Sequence, residues 1–357
     1  MASIIIADNT GAYGGRSLET RPLGGTESNV TLCARELAKL GHQVTVHTHS
    51  DEDAVYDEVR WRPLSAAPDD TCDAYVAVHH PSLLGYVPRP KQRVLWGLWG
   101  ANQWRHYKQF WRMWRYRPKP ILMSQIQVRD YWPTLPKPGP LTVIPLGLQD
   151  DVRGLPPLET PPPRRAIFAS NPARNLNGLV RIWGERILPR VPDAVLDVYG
   201  VHNLGPGEDA WRAWEGRLLP AGMPEAVKVS VKVWPTAPRA ELLGAMRHAR
   251  AMLYLGHKCE AFCLSLAEAQ ALGTPVVVAP VAVLPERVID GVTGFCEGEP
   301  AAFADRAVRL LTDDALWRRQ HEAALKLQQG IDWTGYARRF EQALFGAGAN
   351  AHQRLAA

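Results

Sequence analysis

The sequence predicts an α/β chain built from two doubly wound halves, each a parallel sheet covered by helices. Three observations carry this. Short apolar, β-branched runs alternate with helix-length segments along most of the 357 residues. A proline-dense stretch, Gly154 to Pro163, interrupts that alternation, and beyond it the same pattern starts again. The length itself suits about two domains at roughly 150 residues each.

The elements follow in order. Ser3–Ala7 reaches an acid, Asp8, after a short apolar run with no basic residue before it. It therefore reads as a first strand and not as a signal peptide. A turn-rich segment from Asp8 to Pro22 leads through Gly24-Gly25-Thr26 into a helix with Val30, Cys33, Leu37 and Leu40 on its apolar face. Gly41 ends that helix, and Gln43–Thr48 alternates as a second strand. Ala74–Val78, Arg93–Trp96, Ile121–Ser124 and Leu141–Ile144 continue the pattern. Such units cross over right-handed and share a parallel sheet. Dense proline excludes both helix and central strand, so residues 154–164 read as a stiff linker between a first domain, 1–153, and a second, 165–332. The second domain reads as strand Arg165–Ala169, helix Gly178–Leu188, strands Ala194–Tyr199 and Val227–Val233, and helix Arg239–His248. Strand Ala251–Tyr254, helix Leu264–Leu272 and strand Pro275–Ala279 continue it, and a separate helical end, 333–357, follows the domain. Two such halves joined by a hinge predict a central cleft facing the carboxyl ends of both sheets, where ligands of these folds bind.

Composition removes other classes. Apolar residues at 46% and charged residues at 22% are those of a soluble globular protein. No run approaches eighteen apolar residues, so no spanning helix is expected. The five cysteines (33, 72, 259, 263 and 296) are odd in number and scattered, as reduced cytosolic thiols are. Cys259 and Cys263 lack the companion pair of a zinc site and read as packing residues.

The net charge is only +5, but it is local. No Asp or Glu occurs between Asp73 and Asp130, a stretch holding ten Lys or Arg, so the remainder is acidic. Within it, Trp104, Tyr107, Trp111 and Trp114 recur at the period of one helix face, with Arg105, Lys108, Arg112 and Arg115 one step round. Two readings fit this segment: contact with an anionic bilayer surface, or a helix packed on its own domain by its aromatic face. No nucleic-acid-binding module surrounds it, so no nucleic-acid partner is expected.

The segment richest in chemistry runs from Tyr254 through Glu260 and Glu268 to Gly273-Thr274-Pro275. Glu260 falls in a loop after a strand, and Glu268 on the helix beginning near Leu264. Helical side chains lean toward their N-terminus, so both carboxylates can face one loop region. The free N–H groups at Cys263–Ser265 suit a phosphate. A sugar nucleotide offers a diphosphate to such a helix end and hydroxyls to the acids. Two solvated surface glutamates would leave the same spacing.

Two glutamates separated by seven residues, followed by Gly273-Thr274-Pro275 and an apolar strand, resemble the retaining glycosyltransferases of family 4 (glycosyl transferases group 1), which have the two-domain GT-B fold. Nearly the whole chain follows that order. Gly24-Gly25-Thr26-Glu27 is similar to the family's first glycine loop, and Gly41-His42-Gln43-Val44-Thr45-Val46 to the strand after it. Ser124 with Val143-Ile144-Pro145-Leu146-Gly147 resembles the end of its first domain. Ala169-Ser170-Asn171-Pro172-Ala173-Arg174 resembles its donor-phosphate loop, and Leu284-Pro285-Glu286 through Gly294-Phe295 its late segment.

The resemblance implies roles. Glu268 would hold the ribose hydroxyls and Glu260 the hexose hydroxyls, with Phe262, Cys263, Leu264, Ser265 and Asn171 near the diphosphate. Arg174 would neutralise that diphosphate. Gly25 and Thr26 would approach the reacting centre from the first domain, where glycine lets the backbone come close. His79, His80, Asn102 and His106 would lie on the acceptor side. The C-terminal helix would pack back on the first domain. The reaction implied is retaining, metal-independent transfer of a sugar, without a cofactor, from a nucleotide sugar to a glycan or lipid-linked acceptor. The expected setting is bacterial polysaccharide or lipopolysaccharide-type synthesis, in the cytoplasm or peripherally on the inner membrane face. A sugar-nucleotide epimerase of the same fold and a non-catalytic nucleotide-sugar-binding protein stay open beside it. The chain departs from the family in three places. Gly97-Leu98-Trp99-Gly100 stands where many members carry a histidine; Asn175 and Asn177 stand near the usual lysine; and Val281-Ala282-Val283 replaces frequent glycines.

Overall fold

The computed structural model describes residues 1–21, 23–100, 104, 106–200, 208–235 and 237–346. The chain divides into two units, Leu148–Gly330 and Met1–Gly147, the latter joined by the described residues from Ile331 onward. The proline-rich stretch belongs to the second unit. Arg250 Nε donates to the Pro162 carbonyl (2.9 Å), and the Leu158 N–H donates to His321 Nε2 (2.9 Å).

In the first unit the strands among the described residues are β1 (Ser3–Ala7), β2 (Gln43–Thr48), β3 (Ala54–Tyr56), β4 (Val59–Pro63), β5 (Ala74–Val78), β6 (Gln92–Trp96), β7 (Lys119–Leu122) and β8 (Thr142–Val143). They form one sheet in the order β3-β4-β2-β1-β5-β6-β7-β8, parallel except for the β3–β4 hairpin. β1 and β5 are buried almost end to end, as apolar runs covered on both faces must be. The edge hairpin has no Asn-Gly signal; Asp57 and Glu58 take its positive φ values instead (49° and 63°). The helix Gly25–Lys39 buries Val30, Cys33 and Leu37, while the helix Trp333–Phe345 packs beside it. His42 Nε2 meets Glu341 Oε1 at 3.0 Å, and the Thr334 hydroxyl donates to Glu36 Oε2 (2.7 Å). Phe340 sits edge-on to Trp96.

The second unit holds β9 (Arg165–Ala169), β10 (Val195–Tyr199), β11 (Val231–Val233), β12 (Ala251–Tyr254), β13 (Val276–Val278) and β14 (Gly294–Cys296). These lie in the order β11-β10-β9-β12-β13-β14, every pair parallel. The expected strand Val227–Val233 is only half strand: Glu225–Ser230 is helical, and β11 begins at Val231. Pro224 and Glu225 start that turn, and Ser230 Oγ accepts from the buried Trp183 indole (3.0 Å), which outweighs the β-branched composition.

Each sheet has a switch point, where the chain leaves its first strand on opposite sides. In the first unit this is β1, between β2 and β5; in the second it is β9, between β10 and β12. Loops at the carboxyl ends of these strands are therefore where ligand groups gather.

Gly200, at the end of β10, shows how tightly the second of these regions is built. Its φ is +106°, and a Cβ there would stand 2.0 Å from the Ser170 carbonyl oxygen. Gly200→Ala should lower stability by about 3 kcal/mol, combining backbone strain with a clash against main chain. Denaturant titration of the two proteins checks this; an unchanged midpoint contradicts it.

Candidate functional site

In the second unit, the loop after β9 and the loop after β12 bring Arg174 and Glu260 together. Arg174 Nη1 lies 2.7 Å from Glu260 Oε1, and the Glu260 side chain is only 8% exposed. The Tyr254 hydroxyl, at the last residue of β12, also donates to Glu260, and Ser170 Oγ stands 3.1 Å from it. Burial, with Cys263 and Glu260 close by, pushes the Tyr254 phenol well up, so it stays a donor. Arg174 was expected on a diphosphate; the partner it meets here is the Glu260 carboxylate.

Cys263 caps the next helix in a left-handed conformation (φ 61°, ψ 71°), which turns the chain sharply into Leu264–Ala271. Asn175 does the same before the helix Leu176–Ile182 (φ 65°). Non-glycine residues held this way mark a backbone fixed by its surroundings. Phe262 is buried beneath the guanidinium of Arg287, 4.5 Å from its ring centroid. Burial lowers the Arg287 pKa, and the nearby Cys263 and Glu286 oppose that shift. Leu264 and Ser265 are partly buried at the helix start, and Asn171 Oδ1 closes a turn on the Ala173 N–H (2.9 Å). Burial pushes the Cys263 thiol up, out of the range of a reactive thiolate.

Glu268 lies one helical stretch further on, 8% exposed, with Arg239 Nη1 2.7 Å from its Oε1. Burial raises its pKa, and Arg239 opposes that shift. Arg239 is itself held by Asp151 through Nε (2.7 Å) and Nη2 (3.0 Å). Spacing gave no sign of Tyr254, Ser170, Arg239 or Asp151. Tyr254 closes a strand, and Arg239 and Asp151 lie 88 residues apart in sequence.

In the first unit, the loop after β1 is tied down by Asp8, whose buried carboxylate accepts from the Tyr13 hydroxyl (2.6 Å), the Thr10 hydroxyl (2.8 Å) and the Thr10 N–H (3.0 Å). Gly25 opens the following helix at the surface, and a Cβ there would meet nothing within 4 Å. Thr26 Oγ1 accepts from the Trp99 indole (3.3 Å). At the end of β5, His79 has φ 60° and is 4% exposed, its ring 4.0 Å from that of Trp99. Burial, with His80 beside it, pushes its pKa down to about 3. His80 Nδ1 accepts from the Ser82 hydroxyl (2.5 Å) and N–H (3.3 Å). A cavity of about 200 Å³ is lined by His79, His80, Pro81, Trp104, His106 and Gln109. Asn102 and Arg105 lie outside the described residues.

The basic aromatic segment divides. Trp104 is core, 1% exposed, with its indole on the His79 carbonyl (3.0 Å); it precedes the helix and is no surface anchor. The helix is Tyr107–Tyr116, which packs through Met113, Phe110 and Tyr116. Tyr107 (63%), Trp111 (68%) and Trp114 (44%) stand exposed with Lys108 and Arg115, while Arg112 is partly buried. Packing by the aromatic face is thereby overturned for Tyr107 and Trp111, while Trp114 keeps a tie to its own domain, its indole donating to the Thr134 carbonyl (3.0 Å). No helix among the described residues is long and apolar enough to cross a membrane.

The profile of the family described as glycosyl transferases group 1 matches residues 189–327, which include both glutamates and both of their flanking strands. The chain carries a glycosyl transferases group 1 domain. Part of the chain is also similar to D-inositol 3-phosphate glycosyltransferases. The one from Frankia alni is 39% identical over 110 residues, 30% of this chain and 27% of its own length. That from Thermobifida fusca is 37% identical over 105 residues, 29% and 24% of the two chains. The chain thus spans about a quarter of these curated relatives. Among solved structures, Anabaena HepE in complex with UDP-glucose covers 96% of this chain and 99% of its own at TM-score 0.71 and 14% identity. WaaG, a glycosyltransferase involved in lipopolysaccharide biosynthesis, covers 96% and 100% at TM-score 0.67 and 16% identity. At such identities the likeness shows the fold, and the fold around the group 1 domain is GT-B.

Proposed function

We propose that the chain is a retaining glycosyltransferase that moves a sugar from a nucleotide-diphosphate sugar to a glycan or lipid-linked acceptor. The observation carrying this reading is the pair of buried carboxylates, Glu260 and Glu268, each held by an arginine, on either side of the Cys263 turn. Glu268 would accept from the ribose hydroxyls and Glu260 from those of the hexose. The bond from the anomeric carbon to the diphosphate breaks and one to the acceptor oxygen forms, the acceptor's proton passing to the departing diphosphate. Its growing charge meets Arg174, Arg287 and the N–H groups at the start of Leu264–Ala271, fixed donors that need no metal or cofactor. The UDP-glucose complex of HepE supports a uridine nucleotide as the first donor to try. Incubation of the purified chain with UDP-, GDP- and dTDP-sugars and short lipid-linked glycans, with and without EDTA, tests it. The reading requires a product with unchanged anomeric configuration in both arms; donor binding without transfer would sink it.

Gly25→Ala separates binding geometry from folding. The position is open and helical, so alanine should leave the melting temperature unchanged or slightly raised. If Gly25 plays the close-approach role that the family resemblance implies for it, transfer should fall at least about tenfold. Full activity in the variant would remove Gly25 from the site.

The acceptor reading extends to a surface. Exposed Tyr107, Trp111 and Trp114 beside Lys108 and Arg115 match the chemistry of an anionic bilayer interface, which would place synthesis of a lipopolysaccharide-type or related glycan at the inner membrane face. The chain should co-sediment with phosphatidylglycerol vesicles at low salt and dissociate as salt rises. Trp111→Glu with Trp114→Glu should abolish that binding; equal sedimentation of the double variant counts against the proposal.

A further inference from the structure

Glu268 presents a physical difficulty for the role proposed for it. A carboxylate that must accept from two ribose hydroxyls has to be ionised and correctly turned, yet this one is almost wholly out of water. Left alone, such a group takes up a proton and becomes a donor on one oxygen. Its helix does not supply the missing charge: Leu264–Ala271 carries no basic residue. From the elements packed against it, the helix Asp314–Leu327 offers His321, which is engaged with the Gly273 carbonyl (2.7 Å) and the Leu158 N–H. The helix Arg239–Arg247 offers Arg239, Glu241 and Arg247, and of these Arg239 reaches Glu268.

Arg239 is not a loose surface cation. Two of its nitrogens grip both oxygens of Asp151 in the fork-to-carboxylate geometry that arginine alone provides, and the third nitrogen reaches Glu268 Oε1. Asp151 sits in the short turn Asp150–Val152, just after the chain enters the second unit. The clamp fixes the direction of the guanidinium and so the plane of the Glu268 carboxylate. The arginine approaches Oε1 at 2.7 Å, and a carboxylate has further lone pairs to offer a ligand.

We propose that Arg239, oriented by Asp151, is the positioning residue of the nucleotide site, holding the Glu268 carboxylate ionised and turned to accept the ribose hydroxyls. This rests on the assignment of Glu268 to the ribose. The readout is the affinity ratio between a nucleoside diphosphate and its 2′,3′-dideoxy analogue, measured by calorimetry at pH 6.0 and pH 8.5. UDP or GDP serves as the probe, whichever the unaltered chain binds more tightly. The unaltered chain should show one ratio at both pH values. In Arg239→Met the ratio should collapse about tenfold at pH 6.0 and recover at pH 8.5, as the unpaired carboxyl ionises. Arg239→Lys should restore a pH-independent ratio. A ratio in Arg239→Met that matches the unaltered chain, or falls equally at both pH values, overturns the proposal. Should Arg239→Met fail to fold, Asp151→Asn keeps both Arg239 and Glu268 charged while loosening the clamp. The ratio should then drop at both pH values, and an unchanged ratio overturns the proposal. Glu268→Gln separates the two claims: an unaffected ratio in that variant refutes the ribose assignment itself.

Discussion

Replacing Glu260 by Gln should reduce sugar transfer about 10²- to 10³-fold, the scale seen when one fixed polar group is removed from a reacting centre. The fold should survive it. The glutamine keeps the shape of the side chain and an oxygen to accept from Tyr254, and Arg174 loses an ionic partner without being stranded. Breaking a buried pair costs most when the remaining charge is sealed from water; the Arg174 side chain is 33% exposed and can be hydrated. On the proposed reading, which places the nucleotide at Glu268, the loss should appear in kcat with donor affinity nearly intact. Glu268→Gln should show the reverse division, weakening donor binding first. Steady-state kinetics with calorimetry on both variants checks the split. Near-normal turnover in Glu260→Gln would remove that residue from the chemistry.

Much of the framework was legible because apolar periodicity reports burial directly. Strands such as Ser3–Ala7, Ala74–Val78 and Arg165–Ala169 are buried on both faces, so their composition is constrained at every position. The β3–β4 hairpin was not legible: it lies at a sheet edge, and its turn residues, Asp57 and Glu58, carry no turn signature. Val227–Ser230 misled because a β-branched run is compatible with either state until its packing is known. The two glutamates stood out through the family resemblance, since their spacing alone fits solvated surface acids as well; the fold buries both. Their pairing with arginines was not legible, because Arg174 and Arg239 approach from other elements, and only the sheet order brings them close. In the same way, a helical period located the aromatic helix at 107–116, but the buried Trp104 shared that period without sharing its face.

The second large effect expected is on stability in mild acid, and it comes from His79. In the unfolded chain a histidine titrates near pH 6.5; in the fold, burial beside His80 pushes it down to about 3. Between those values the unfolded state binds a proton that the folded state does not. Stability is therefore complete above about pH 6.5 and falls as the pH drops, by up to about 1.4 kcal/mol per unit, or about 2 kcal/mol by pH 5. His47, His80 and His321, whose pKa values burial also lowers, act in the same direction. Asp8 and Glu27 act the other way, because burial raises their pKa values and the fold takes up their protons before the unfolded chain does. A variant at position 79 cancels all of these common terms. His79→Asn fits, since asparagine tolerates the positive φ found there and carries no charge. It should be less stable than the unaltered chain at pH 7.5, where the lost ring packing against Trp99 is felt alone. The difference should then narrow by about 2 kcal/mol at pH 5. Urea titrations of both proteins at the two pH values measure it. Parallel stability curves would mean that His79 is protonated in the folded chain, with a buried partner for its charge.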